Sequence, residues 1–248
     1  MLTILIPPAK EMLENIETIP SHTQFSPLTS DIIKTMSEKS IEELMTIYRF
    51  KKEAPAQKEF FRWSAINKAT STYHPAIKLY NGLMYRSLKN GISQSAMEYL
   101  KKTTHITTAL YGIIPINYPI QAHRLDFLDN VAINKQALKK LWNQQYDAFV
   151  SQQGATPIIS LLSNEFETVF SKQQRIKFVK IQFYEKDVKG NLKHHSTISK
   201  KGRGAFLKAL AENNVEHLEQ LPNLSFNNYH YSSSLSNSHT YVFIHDSR

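Results

Sequence analysis

The stretch Leu2-Thr3-Ile4-Leu5-Ile6, followed at once by Pro7-Pro8-Ala9-Lys10, decides the fold of this chain. A short apolar run bounded by turn residues is typical of a buried strand, and the prolines end it because they cannot donate to a strand ladder. Lys10 then lies in the loop beyond the carboxyl end of the strand. Ligands of open α/β sheets tend to bind at that edge, so Lys10 is a candidate site residue.

A second buried strand, Pro157 to Leu162, follows the clearest helix of the sequence, Gln136 to Gln152. Apolar residues recur near one face of that helix, and Gly154 stops it. A helix between two buried strands indicates a parallel crossover. Ser163 and Glu165 come just after the second strand, in the same kind of position as Lys10.

The other elements complete a mixed α/β (α+β) fold, which we expect to be one domain over 1–248 with a central sheet flanked by helices. A helical region spans about 27–67, and its aromatic stripe fits a core face or a nucleic-acid contact. Further expectations are listed in chain order: a strand at Ala76–Tyr80, a helix at Gln94–Lys101, a strand at Ile106–Tyr111, a surface excursion at Ile113–Asn130, a strand hairpin from Ile176 through Ser199, a helix at Ala205–Glu212, and two strands in Tyr229–Ile244.

Charge is the first functional signal. Between Lys172 and Lys208 there are eleven Lys and Arg residues against two acidic ones, an excess equal to the +9 of the whole chain. A basic surface attracts polyanions and releases their counterions, although a solvated lysine-rich hairpin that protects strand edges has the same composition. Lys200, Lys201 and Arg203 precede the helix expected at Ala205, and a helix N-terminus favours anions.

Several classes of function are disfavoured. The chain has no cysteine, so it has no disulfide, thiolate metal site or thiol with which to sense peroxide. No metal-site spacing, P-loop, serine elbow or dinucleotide fingerprint is present, and we predict no metal and no cofactor. The N-terminal run is too short for a membrane span and lacks a basic leader, which favours a cytoplasmic protein with no membrane partner.

Five stretches, in order, resemble the YaaA family of peroxide stress proteins. They are Leu5-Ile6-Pro7-Pro8-Ala9-Lys10, Thr108 to Pro115, His123-Arg124-Leu125-Asp126, Leu162 to Phe166, and Ser199 to Gly204. The sequence departs from the family at Asn81-Gly82-Leu83-Met84-Tyr85, where a lysine and an aspartate are replaced, at Ile114 and at His123. The turn of its helix-hairpin-helix segment, Glu43 to Gln57, has no glycine.

This resemblance implies an intracellular bacterial protein linked to hydrogen peroxide resistance, with a basic cleft and DNA binding to which a helix-hairpin-helix-like element is ascribed. The residues that carry over by motif include the phosphate-binding candidates Lys10, Arg124, Lys200, Lys201 and Arg203. Glu165 also carries over. The supporting positions are Gly82, Tyr85, Tyr111, Gly112, Pro115, Ser163 and Gly204.

Two hypotheses follow. A DNA-binding protein would meet phosphates with its lysines as point charges and would not read sequence. The alternative is a glycosylase- or lyase-like enzyme acting on a nucleobase or nucleoside, in a pocket where Lys10, Arg124, Ser163, Glu165 and Arg203 converge. Lys10 and Glu165 are the catalytic candidates there, with Lys10 activated by cations around it. Binding without catalysis is the preferred reading, and the oligomeric state stays open.

Overall fold

A computed structural model describes residues 1–20 and 24–246. Its strands are β1 Thr3–Ile6, β2 His74–Pro75, β3 Thr104–Thr108, β4 Gly112–Pro115, β5 Pro119–Ile120, β6 Ala132–Ile133, β7 Gln136–Ala137, β8 Ile158–Ser160, β9 Phe178–Lys186, β10 Leu192–Lys193, β11 Tyr229–Tyr231 and β12 Thr240–Asp246. Its α-helices are α1 Pro27–Ser37, α2 Ile41–Tyr48, α3 Glu53–Asn67, α4 Ala76–Leu79, α5 Leu83–Lys89, α6 Gln94–Thr103, α7 Leu138–Gln152, α8 Asn164–Glu167, α9 Lys172–Arg175 and α10 Ser196–Glu212.

The central sheet is mixed, as predicted. Its strands run in the order β11-β12-β9-β8-β1-β3-β4, with β10 pairing to β9. The five strands from β12 to β3 are parallel, and the antiparallel strands lie at the ends and beside β9. The first strand therefore lies between β8 and β3 and is fully buried, which confirms the crossover inferred from the sequence.

Helices cover both faces of the sheet because successive strand residues point to opposite sides. Ile4 and Ile6 pack into a core with α5, α6 and α10, whereas Leu5 packs on the other side with α1, α2, α3 and α7. The structure is thus a three-layer arrangement with the first strand at its centre.

The helical region expected at about 27–67 and the helix expected at Gln94–Lys101 are confirmed, and serines cap three of their helices. The hydroxyl of Ser40 accepts from the backbone of Glu43, whose carboxylate accepts from the Ser40 amide, so α2 begins with a complete capping box. Ser26 and Ser93 cap α1 and α6 in the same way through one hydroxyl each. In the aromatic stripe of α3, Trp63 is buried and Phe61 is exposed.

Three expectations were wrong. Residues 76–79 form a helical turn, α4, because a short buried apolar run fits either structure and its backbone amides bond across to residues 116 and 118. The segment 113–130 is no surface excursion: β4 pairs with β3, and Leu125 and Phe127 are buried in the core, where the Phe127 ring packs against Tyr146 of α7 and Phe166 of α8. Finally, the strand expected through Ser199 ends at Lys193, and α10 begins at Ser196.

Two glycines explain why α10 begins so early. A Cβ on Gly202 would lie 2.4 Å from Cγ of Phe183 on β9, and one on Gly204 would lie 2.2 Å from the carbonyl oxygen of Met84. These glycines let α10 pack closely on the sheet and on α5, so they serve contact between elements rather than chain flexibility.

Candidate functional site

A pocket of about 490 Å³ opens at the carboxyl edge of β1 and β8. It brings together the loop after β1, the start of α5, the segment around Asp126, the start of α8 and one face of α10. Of the site residues predicted from sequence, it is lined by Lys10, Gly82, Tyr85, Ser163, Glu165, Lys200 and Arg203. The sequence motifs therefore meet in space, although they are scattered along the chain.

Lys10 is paired with a carboxylate. Its Nζ lies 3.1 Å from Oδ2 of Asp126, with the lysine side chain 59% exposed and the aspartate side chain 8% exposed. A nucleophilic lysine was expected to be desolvated and close to other cations. Lys10 is instead more than half exposed and lies beside a carboxylate, so neither expected feature is present.

An acidic group lies next to Lys10. Burial, together with repulsion from the nearby Asp126 carboxylate, raises the pKa of Asp129 to about 6. Burial, followed by repulsion from Asp126, also raises the pKa of Glu165. Glu165 accepts a 3.2 Å hydrogen bond from the amide of Leu128, which fixes its carboxyl at the pocket wall. The Asp129 carboxyl, with its pKa of about 6, can therefore exchange a proton at mildly acidic pH.

The cations Lys200, Lys201 and Arg203 lie along α10 beyond its first turn, away from the N-terminus of the helix. Lys200 and Arg203 are three residues apart and both line the pocket, whereas Lys201 lies on a neighbouring groove with Arg86 and Glu185. All three follow the first turn of α10, which begins at Ser196. The expected site at a helix N-terminus, with free amides beside these cations, was therefore wrong, because the backbone there is already hydrogen-bonded within the helix.

Arg124 lies apart from this pocket. Its guanidinium carbon is 4.6 Å from the ring centroid of Phe50 and 5.3 Å from that of Tyr48. The Trp63 indole N–H donates to the Tyr48 hydroxyl at 2.9 Å, and that hydroxyl donates to the Arg124 carbonyl at 2.5 Å. Arg124 is thus fixed against α2 and the turn after it, and it does not line the cavity.

The supporting residues shape the site rather than touch one another. The Tyr85 hydroxyl donates to the carbonyl of Pro7 at 2.8 Å and so ties α5 to the loop after β1. A Cβ at Gly82 would meet Cβ of Ala9 at 3.0 Å in the same place. Gly112 has φ of +75° and packs against Trp142, which explains the need for glycine there.

The remaining supporting positions lie in the surrounding frame. The buried Tyr111 hydroxyl accepts from the amide of Gln121, and Pro115 lies exposed at the end of β4. Ser163 precedes the first turn of α8, which carries Glu165. Sequence reasoning named Asp126 without assigning it a role and missed Asp129 and Tyr48, because no local pattern indicates a partner so distant in sequence.

The basic segment Lys172 to Lys208 is divided between two edges of the sheet. Lys172 and Lys177 precede Phe178, which pairs with the first residue of β8, so they lie at the amino edge. The start of α10 lies beside the carboxyl edge. Within residues 1–20 and 24–246, two of the eleven cations form ion pairs with carboxylates. They are Lys180, which pairs with Glu167, and Lys193, which pairs with Asp187. The cations next to the pocket are therefore fewer than the sequence count suggests.

No helix in the described parts of the chain combines the length and apolar character needed to cross a bilayer. A family model described as "Peroxide stress protein YaaA" matches residues 2–235. A UPF0246 protein of Streptococcus uberis is 42% identical over 245 residues, and one of Streptococcus equi subsp. equi is 45% identical over 245, each alignment covering 98% of both chains. Another, from Streptococcus agalactiae serotype III, is 44% identical over 247 residues, again with 98% of both chains covered. The chain therefore belongs to the YaaA family of peroxide stress proteins, and an association with peroxide stress comes with that membership.

Proposed function

We propose that the protein binds DNA through the phosphate backbone, without reading sequence, at the carboxyl edge of the sheet. The observation that supports this most is the pair Lys200 and Lys201. Both are exposed, and neither forms an ion pair with a carboxylate in residues 1–20 and 24–246. Exposed cations without internal partners are available to phosphates, and their binding releases counterions from DNA.

Lys10 and Arg203 extend this surface across the pocket, and Arg124 extends it toward the α2–α3 turn. The carboxylates of Asp126 and Glu165 line the same pocket, and Asp129 is close enough to Lys10 and Arg124 for both to lower its pKa. A phosphate backbone is repelled by those carboxylates and is attracted to the cations around them. The proposed contact therefore follows the rim of the pocket and not its floor, which makes the interaction dependent on salt and on the protonation of the acidic group.

Fluorescence anisotropy of labelled duplex, single-stranded and branched DNA over a salt series tests this proposal. We expect the logarithm of affinity to fall linearly with that of salt concentration, and each lost phosphate contact to reduce the slope by about 0.9 for duplex DNA. The test variant is Lys200→Ala with Lys201→Ala, and the matched control is Lys172→Ala with Lys177→Ala.

The control changes the charge by the same amount, from the same basic segment, at the opposite edge of the sheet. The double variant at α10 is expected to flatten the salt dependence, and the control is expected to leave it as in the native chain. Equal loss in both variants would mean a diffuse charge effect with no defined surface. Failure of all three DNA forms to bind at low salt would refute the proposal.

A second candidate function is favoured by Glu165. Its carboxyl has a raised pKa, is held by one backbone amide and lines the pocket together with Lys10, as a general acid in a nucleobase or nucleoside glycosylase or lyase would. Release of free base from nucleosides and oligonucleotides tests this candidate. Glu165→Gln is expected to abolish turnover while keeping affinity, and absence of turnover in the native chain would reject catalysis on these substrates.

A further inference from the structure

Arg203 lines the pocket, and contacts within the described residues 1–20 and 24–246 do not account for its guanidinium. Arg203 is partly buried, and desolvation lowers its pKa to about 10, so it remains charged at neutral pH. Within residues 1–20 and 24–246 its side chain forms no hydrogen bond and no ion pair. The carboxylate that raises its pKa, that of Glu167, already pairs with Lys180 and accepts a hydrogen bond from Ser160. A desolvated charge without a partner is costly.

We propose that the pocket binds a nucleoside phosphomonoester, with the phosphate on Arg203 and Lys200. The planar fork of an arginine donates hydrogen bonds to two phosphate oxygens, and a lysine one helical turn away adds a point charge on the same side. Lys200 and Arg203 meet this requirement, because they are three residues apart on α10 and both line the cavity. The ligand phosphate supplies the partner that the fold does not.

The other wall fixes the orientation of the ligand. Asp126 and Glu165 line the same cavity and repel an anion, so the phosphate is directed to α10 and the remainder of the ligand lies toward the carboxyl groups. Sugar hydroxyls and exocyclic amines are donors that carboxylates accept. The apolar surfaces of Pro7, Pro8 and Phe166 flank this region and suit the face of a sugar or a heterocycle.

The cavity volume agrees with a ligand of this class. At about 490 Å³ it falls in the range of about 300–1,000 Å³ found for small-molecule sites. A continuous duplex does not enter such a pocket, but a single terminal nucleotide does. The phosphomonoester can therefore come from a free nucleotide or from a phosphorylated DNA end, and the inference goes beyond the backbone binding proposed above while sharing Lys200 with it.

Isothermal titration calorimetry with the four deoxynucleoside 5′-monophosphates, the matching deoxynucleosides and inorganic phosphate tests the site. We expect at least one monophosphate to bind, and to bind at least tenfold more tightly than its nucleoside and than phosphate alone. Arg203→Lys keeps the charge but loses the fork and is expected to cost about tenfold or more. Lys177→Ala, at the other edge of the sheet, is the matched control and is expected to change nothing.

Two further arms separate the sources and the proposals. Duplex DNA with a 5′-phosphate is compared with the same duplex bearing a 5′-hydroxyl: a phosphate-dependent gain points to DNA ends, and no gain points to free nucleotides. If nucleosides bind as well as their monophosphates, or if none of the four monophosphates binds the native chain, the inference fails. If the inference fails but the same samples bind duplex DNA in a salt-dependent way, the backbone proposal still stands. If nucleotides bind but duplex DNA does not, only the backbone proposal is refuted.

Discussion

The Nζ of Lys10 lies 3.1 Å from Oδ2 of Asp126, and this ion pair joins the end of the first strand to a segment in the middle of the chain. Asp126 is buried while Lys10 reaches solvent, so the lysine offsets one charge of an acidic group that also contains Asp129 and Glu165. The pocket wall thus carries an ion pair beside two carboxyl groups whose pKa values are raised.

Asp126→Asn is expected to lower the pKa of both Glu165 and Asp129. The Asp126 carboxylate raises both values by repulsion, and the substitution removes that charge at nearly constant shape. Carboxyl titration by NMR measures the shift. Lys10→Gln is the matched counterpart and is expected to raise both values, since the lysine lowers them. Shifts of the same sign in the two variants would contradict this account.

Asp129→Asn is expected to become more stable, relative to the native chain, as pH rises from about 4 to 7. The pKa of Asp129 is raised to about 6 in the folded state from 3.8, so the native fold holds its proton longer than the unfolded chain does. Stability from this group is therefore present at low pH and is lost as pH rises through 6. Urea unfolding across this pH range measures the difference, and a difference independent of pH would contradict the assignment.

Gly202→Ala and Gly204→Ala are expected to destabilise the fold by about 1–3 kcal/mol each, through overpacking against Phe183 and the Met84 carbonyl. Alanine is normally better than glycine inside a helix by about 0.5–1 kcal/mol, so the sign of the effect is diagnostic. Lys201→Ala, next to Gly202 in the same helix and exposed, is expected to have little effect. Stabilisation by either glycine substitution would show that α10 packs less closely.

Tyr48→Phe is expected to cost about 1–3 kcal/mol of the free energy of unfolding. The hydroxyl accepts from Trp63 and donates to the carbonyl of Arg124, and its loss leaves a buried donor and a buried acceptor unpaired. Tyr184→Phe is the control. Among the residues that the structure describes, that hydroxyl bonds only the side chain of Gln182 on a partly exposed strand, so the change is expected to stay below about 0.5 kcal/mol. Equal effects would contradict a special role for Tyr48.

The helix pair α2–α3 remains a predicted DNA contact, as the family resemblance implies. Its turn presents the exposed Lys51 and Lys52, and Arg124 stacks on Phe50 beside them. Lys51→Ala and Lys52→Ala are each expected to reduce the salt slope of duplex binding by about 0.9 if the turn meets phosphates. Lys68→Ala, at the other end of α3, is the control. Slopes unchanged in all three variants would remove this helix pair from the interface.

Local signals predicted much of the fold because they act over a few residues. The apolar run Leu2–Ile6, the capping box at Ser40 and the stop at Gly154 each indicate an element without knowledge of its neighbours. Short segments with ambiguous periods were assigned wrongly: residues 76–79 were expected to be strand, and the start of α10 was expected to be strand and then loop. Such segments follow their tertiary contacts, which a local pattern does not contain.

The sequence by itself determined the family, the parallel first strand and the placement of Lys10, Ser163 and Glu165 at one edge, because strand ends and a helical crossover are recognisable from local patterns. Only the tertiary structure decided that Lys10 faces Asp126, that Arg124 stacks on α2 and its turn away from the pocket, and that the basic segment divides between two edges of the sheet. The physical reason is that charge and burial depend on distances between residues far apart in the chain, and those distances exist only after the layers have packed.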